Sequence, residues 1–536
     1  MPRPYSDYIS VNREFVPVFS VYADKQYPNY WKAFYPHSTF ISILENLISS
    51  LEGTSAEKRL SLWISGAYGT GKSFASFVIK HILEEDAESV RGYFEKYRIS
   101  QTLLSRLEGI KSKGDILVVH RSSSADIVGP NRLFTAIQES VKQALRDKGY
   151  TKIGGQTLYD NVLDILKDPE STYNFRNAFS KYRNKFLEYP SAESVVEGLE
   201  KLGPDDSLTL LDRIIEVADL SGVNLARSAN DVVMWIKEII ELNNLYAIVF
   251  IWDEFTQFFY NNQKAVDCLQ EIAHSSSNIP FYFFLITHKT HSQFIHDTDT
   301  RKVLEARFKI SRIEMANTTA FMLMRQALDF VPDLKAEWDN IASNLWINVK
   351  KSVENTIKKY SEDIKDEDLK GLLPLHPFAA FLLQWISESV NSNQRTMFQF
   401  LCSDPNASAT EKHNFRWFIQ NHDINKWPYL TCDYIWDYFF ELTNDDLDDK
   451  AKNAIIHYNT YYKQCENENE NRVLKVVLLL TAIQQEKGRG ISNLLRPTLY
   501  NISAAFAGTP IADDIQRIMR RFVEKGIVGS MPEGND

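Results

Sequence analysis

Apolar positions along this chain fall into two patterns. Four short runs are apolar with almost no alternation: 62–64, 115–120, 245–252 and 280–287. Runs of that length and composition are what strands buried on both faces look like. A shorter, more polar run at 309–315 predicts a fifth strand. Between them, apolar residues recur at helical spacing over 39–51, 74–83, 132–145, 264–274 and 301–308. Strands alternating with helices predict an α/β fold, a parallel sheet with helices on its faces. From about 151 to 243 the pattern is helical and polar, broken at Gly154-Gly155, Pro190 and Gly203-Pro204. This reads as a helical insertion between two core strands. After Thr318 helical spacing dominates, over 334–360, from Leu375-His376-Pro377 to about 390, and over 472–485, 491–495, 496–506 and 512–525. Gly526-Ile527-Val528-Gly529 reads as the start of a strand, and the acidic stretches 445–450 and 466–471 as loops or linker. The expected organisation is a lead segment and helix (1–55), an α/β core (56–316), a helical lid (317–445) and a helical, winged-helix-like region (446–536).

A chain of 536 residues is too long for one core, and its length suggests about three domains. No apolar run approaches the roughly 20 residues of a membrane span, and MPRPYSDYIS lacks a secretory apolar segment. Cys268, Cys402, Cys432 and Cys465 are far apart, with no paired spacing. That pattern predicts reduced thiols in a cytoplasmic protein and no zinc site. The net charge of −10 excludes a uniformly basic surface for nucleic acid, while leaving room for a local basic patch.

The chemistry centres on LSLWISGAYGTGKSFASF, residues 60–77. Gly66, Ala67, Tyr68, Gly69, Thr70, Gly71, Lys72 and Ser73 form a glycine, four residues, then Gly-Lys-Ser, with a strand-like run before and a helix-like run opening at Phe74. Phosphates are held by backbone N–H groups pointing inward, so such a loop needs glycines that turn freely and admit close approach. The following helix aims its free amides and its dipole at the same anion. In this pattern Lys72 reaches the terminal phosphates of ATP and the Ser73 hydroxyl ligates Mg2+. The alternative, a glycine-rich turn matching by chance, does not account for the flanking strand and helix.

The strongest strand run ends in Asp253-Glu254, at the carboxyl end where a parallel sheet places ligands. Asp253 is expected to hold the metal and Glu254 to orient and deprotonate the attacking water. The next run ends in Thr287-His288, one of which is expected to position that water; the alternative is a satisfied polar residue at a strand end. His288, His291 and His296 fit no closed zinc spacing. Arg307, between a helix and the last strand, is a candidate to neutralise charge on the nucleotide of a neighbouring subunit. Arg301 and Arg312 compete for that role, and an ordinary helix-end ion pair is the alternative. Arg395, after the helix of the lid, is expected either to touch phosphate in cis or to be structural. Arg121-Ser122-Ser123-Ser124 follow the second run at the same edge. Arg517, Arg520, Arg521 and Lys525 alternate with Ile515, Ile518, Met519 and Phe522, which suits a helix for a DNA groove or the solvated face of a packing helix. The chain stops at PEGND, where a wing hairpin would turn back, and this predicts that the natural protein continues.

WISGAYGTGKSF, IVFIWDEF, the LEARFK segment and above all LHPFAAFLLQWISESVNSNQRTMFQFL resemble the large P-loop ATPases of bacterial anti-phage defence, in particular the BrxC/PglY group of BREX-type systems. The resemblance covers residues 40 to 440 in patches. It implies a five-stranded AAA+ core of the origin-recognition-like branch, a helical lid, a winged-helix region, and ATP-driven assembly of a homo-oligomer with other defence-system proteins and DNA. The chain is shorter than typical members, and Trp252 replaces the usual aliphatic residue before the acidic pair. Two further readings stay open: a nucleotide-dependent scaffold that recruits an effector with little turnover, and a DNA-translocating motor.

Overall fold

The computed structural model describes residues 3–12, 19–53, 59–66, 70–154, 156–225, 228–288, 290, 295, 297–313, 317–361, 364–389, 397–405, 413–440, 449–484 and 490–529. Among them seven strands form: β1 (Ile9–Val11), β2 (Ser61–Ser65), β3 (Asp115–Ser122), β4 (Leu245–Asp253), β5 (Phe281–Thr287), β6 (Phe308–Arg312) and β7 (Leu328–Phe330). The chain divides into two compact units. One, Asp24–Gly66 with Gly71–Glu314, is built on a five-stranded parallel sheet in the order β3-β4-β5-β2-β6. The other is drawn mainly from Met1–Ala23 and Met315–Asp536; apart from the antiparallel pair β1 and β7 it is helical.

The unbroken apolar runs are explained by burial on both faces of the sheet. Leu62, Ile64, Val118, Val249, Ile251, Phe284 and Ile286 face one core, shared with the helices Ser38–Glu52, Lys72–Glu84, Ala87–Lys96 and Gln101–Lys111. Their alternates Trp63, Leu117, Val119, Phe250, Trp252, Phe283 and Leu285 face the other, shared with Gly129–Asp147, Ala229–Leu242, Gln263–His274 and Thr298–Arg307. The chain steps from β2 to the far edge at β3 and then moves in the opposite direction through β4, β5 and β6. With right-handed crossovers, these two senses send helices to opposite faces. The strand order therefore reverses beside β2, and the carboxyl ends of β2 and β5 are the position where open sheets of this kind take ligands.

Within 151–243, residues 158–225 have a core of their own, from Leu158, Phe186, Val195, Leu211 and Ile214. Ala229–Leu242 lies on the sheet instead, through Trp235, Ile236 and Ile239. Lys142–Asp160 (2.7 Å) and Arg132–Asp212 (2.8 Å) tie the insertion to the helix beside β3.

The helical unit has one core, to which both 320–440 and 451–527 contribute, so the division expected at 445 falls inside it. Two expectations are corrected here. Most of the acidic stretch 466–471 is not linker: the helix Glu468–Ile483 starts within it, capped by the Asn467 side chain. Acids suit a helix N-terminus, and buried Glu470 is paired with Arg521 at 2.8 Å. Gly526–Gly529 is not a strand: Gly526 is left-handed (φ 67°), its N–H bonds Val523 O, and Ile527 N–H bonds Phe522 O at 2.8 Å. That double bond pattern closes the helix Ile515–Glu524, with Ile527 packed into the core beside Phe522.

His376, buried at the start of Pro377–Ser389, accepts the Phe378 N–H at Nδ1 (3.2 Å) and donates from Nε2 to Ala507 O (3.0 Å). Only neutral imidazole can do both, and burial pushes its pKa down to about 4. The unfolded chain therefore binds the extra proton first, and stability falls as pH drops from about 6.5 to about 4, by up to about 3 kcal/mol. Thermal unfolding of the full chain is expected to shift less over this window in His376→Gln than in the parent; equal shifts would contradict the assignment.

Candidate functional site

The site is assembled at the carboxyl edge of the sheet. Gly66 follows β2 and donates its N–H to Thr287 O (3.2 Å), while Ile313 N–H bonds Ser65 O (2.7 Å). Ala67, Tyr68 and Gly69 lie outside the described residues. Gly71 caps the next helix with φ 81°, a conformation other residues adopt only with strain. Lys72 is the first residue of that helix and is 5% exposed. Burial pushes its pKa down to about 8, against the opposing pull of the Asp253 and Glu254 carboxylates. Ser73 and Phe74 are half-buried on the first turn, and the free amides of that turn face the same edge.

β4 brings Asp253 to this edge, buried, with Oδ1 accepting the Glu254 N–H at 2.8 Å. Oδ2 makes no hydrogen bond among the described residues. A buried carboxylate with a spare oxygen, within electrostatic reach of Lys72 at the helix start, is a suitable donor for a hard cation such as Mg2+. Partial burial raises the Glu254 carboxyl pKa, as does Asp253, while Lys72 works against them. Lys72, Asp253 and Glu254 thus act on one another electrostatically. Glu254 (φ 56°) and Ser123 (φ 68°) are both left-handed, at the ends of adjacent strands. Each such residue costs about 1 kcal/mol, and strain of this kind collects at functional sites.

The other expected residues are distributed unevenly. Thr287 is completely buried and its Oγ1 accepts the Trp63 indole N–H at 2.9 Å. His288 donates its backbone N–H to Thr256 Oγ1 (2.9 Å), and burial together with Lys72 pushes its imidazole down to about 2. A neutral His288 therefore lies within electrostatic reach of Lys72. Arg307 directly precedes Phe308, which pairs with Ser61 at the start of β2. At roughly 3.3 Å per residue it lies about 15 Å from the loop edge, at the opposite end of the sheet, beside His274. Arg312 ends β6 beside Ser65, on the loop edge itself, and Arg301 stands in the first half of its helix. Arg395, His291 and His296 lie outside the described residues.

One residue went unnoticed in the sequence. His120, near the end of β3, stacks on Phe77 (4.1 Å) and meets Ser76 Oγ at Nε2 (3.1 Å). Ser76 in turn donates to Ser73 O (2.7 Å), so His120 is the donor to Ser76. Burial pushes its pKa down to about 4, with Asp253 opposing. A histidine closing an apolar run one strand from the acidic pair was the available signal.

Against known proteins, no family model, no curated protein and no solved structure matches this chain.

Lys72 gives a stability test. Its folded pKa of about 8 lies below the ordinary 10.5, so between these values the unfolded chain holds more protons and stability rises with pH. Lys72→Met is expected to be more stable than the parent at pH 7, by about 1–3 kcal/mol, with the gap closing as pH rises toward 10.5. Thermal unfolding across this range checks it; a less stable Lys72→Met at pH 7 would contradict the burial cost.

Proposed function

We propose that the chain is an ATP-binding and hydrolysing ATPase of the AAA+ type, dependent on Mg2+. The observation that carries this reading is the meeting of Lys72 with Asp253 and Glu254 at the carboxyl edge of a five-stranded parallel sheet, where the strand order reverses. The amides at the start of Lys72–Glu84 and the Lys72 ammonium bind the β- and γ-phosphates. Ser73 and Asp253 hold Mg2+, which draws charge from the phosphate oxygens when bound. Glu254 takes the proton of the water that attacks the γ-phosphorus, and its raised pKa makes it the better base. The bond to the β-γ bridging oxygen breaks, giving ADP and phosphate. His288, a neutral imidazole near Lys72, is the better placed of the two expected water-positioning residues, because the Thr287 hydroxyl is engaged with Trp63.

Arg307 stands too far from its own loop to act in cis. A role in charge neutralisation would therefore require a second copy, and the homo-oligomer with shared sites rests on the resemblance rather than on this distance. Association with other defence-system proteins and DNA, in the cytoplasm, rests on the resemblance of the LHPF…NQRTMFQFL segment to the BrxC/PglY group. The acidic net charge adds no support for direct DNA contact.

Glu254→Gln is expected to keep parent-like ATP affinity while hydrolysis falls at least about 100-fold. Phosphate release and equilibrium binding, measured side by side, check this, and parent-rate turnover would remove Glu254 as the base. Arg307→Ala and Glu254→Gln subunits, each inactive alone, are expected to regain part of the activity on mixing. A strictly monomeric active species with no recovery would exclude the shared site.

A further inference from the structure

We propose that Ser124 is a positioning residue that aims the Glu254 carboxylate by locking the backbone of the turn that carries it, an inference that rests on the hydrolytic reading above. The Glu254 side chain makes no hydrogen bond or ion pair among the described residues. The direction of its Cα–Cβ bond, from which the carboxylate starts out, is therefore set by the backbone alone, which is held left-handed at φ 56°. Something must hold an L-residue there.

The holding groups belong to the neighbouring strand. β3 and β4 are in register through Ser122 and Asp253, and the ladder continues one step as Ser123 N–H bonds Asp253 O at 2.9 Å. Ser124 is completely buried. Its hydroxyl donates to Glu254 O (3.2 Å) and accepts the Phe258 N–H (3.0 Å), so one side chain clamps both ends of the acidic turn. Ser123 is itself left-handed (φ 68°) and its carbonyl accepts the Trp252 indole N–H at 2.8 Å. Farther along, the Asn262 side chain accepts from Gly129 N–H (2.6 Å) and donates to Ile127 O (2.5 Å) and Phe258 O (3.0 Å). The loop after β3 and the turn after β4 thus form one hydrogen-bonded frame, within which Glu254 is exposed while its neighbours Asp253 and Phe255 are buried. This also gives Trp252 a role: an aliphatic residue there would leave the Ser123 carbonyl without its indole donor.

Ser124→Ala removes both bonds and frees the Glu254 peptide to relax. Displacing a catalytic group by about 1 Å costs on the order of 100-fold, so kcat is expected to fall between about 10- and 100-fold, with ATP affinity within about twofold of the parent. The test is steady-state ATP hydrolysis by the full chain, with binding of a fluorescent ATP analogue and thermal unfolding in parallel, for the parent, Ser124→Ala, Glu254→Gln and the double variant. A residue that acts only through Glu254 adds no loss once Glu254 is Gln. Parent-like kcat in Ser124→Ala overturns the proposal, as does a loss that multiplies fully in the double variant, or a fall in affinity equal to the fall in kcat. If Ser124→Ala does not fold, Ser124→Cys keeps a side chain of similar shape, slightly larger, with a weaker donor; its kcat is expected to fall with affinity kept, and parent-like kcat overturns the proposal. A parent chain that binds the analogue but hydrolyses no ATP defeats the hydrolytic reading itself, and this inference with it.

Discussion

The reversal of strand order beside β2 is the constraint from which the site follows. Because the chain leaves β2 in one sense and every later crossover runs in the other, helices must pack on opposite faces of the sheet. The carboxyl ends of β2 and β5 lie side by side at that reversal, with Gly66 and Thr287 joined by a backbone bond. The acidic pair arrives one strand farther along, on β4. Residues far apart in sequence share this edge because the parallel pairing of β2, β4 and β5 brings their carboxyl ends to one side of the sheet.

Electrostatics and strain then converge on that edge. A lysine buried at a helix start is costly, and two carboxylates beside it reduce that cost without abolishing it. Glu254 and Ser123 accept left-handed backbones that a regular strand end would avoid. Polar side chains close by are all in defined protonation or bonding states: His288 and His120 neutral, Thr287 against Trp63, Ser124 across the acidic turn. The buried lysine and the left-handed residues disfavour the folded chain locally, while the bonds of Thr287 and Ser124 hold it. Left-handed residues and buried neutral histidines also occur elsewhere, at Arg98, Asn244 and His376, but at this edge they coincide with a buried lysine and an acidic pair.

Much of this was legible in the residues. Unbroken apolar runs located the core strands, since a parallel strand buried on both faces cannot alternate. The Gly-Lys-Ser spacing and Asp253-Glu254 announced two halves of a site that topology then joined. What stayed hidden depends on distant partners. Glu466–Asn471 looked like linker because composition alone does not disclose that Arg521 neutralises Glu470 or that Asn467 caps a helix. Gly526–Gly529 has a strand-like composition, but a left-handed glycine closing a helix has the same letters. Ser124 was one of three serines in a row, and only the bonds to Glu254 and Phe258 separate it from its neighbours. His120 read as the last letter of a strand.

The most direct measurement is calorimetric titration of ATP into the full chain, with and without Mg2+. Expected is saturable binding at one site per chain that strengthens when Mg2+ is present and is lost in Lys72→Ala. Absence of saturable binding by the parent, or binding that Lys72→Ala leaves unchanged, would contradict a phosphate site at this edge.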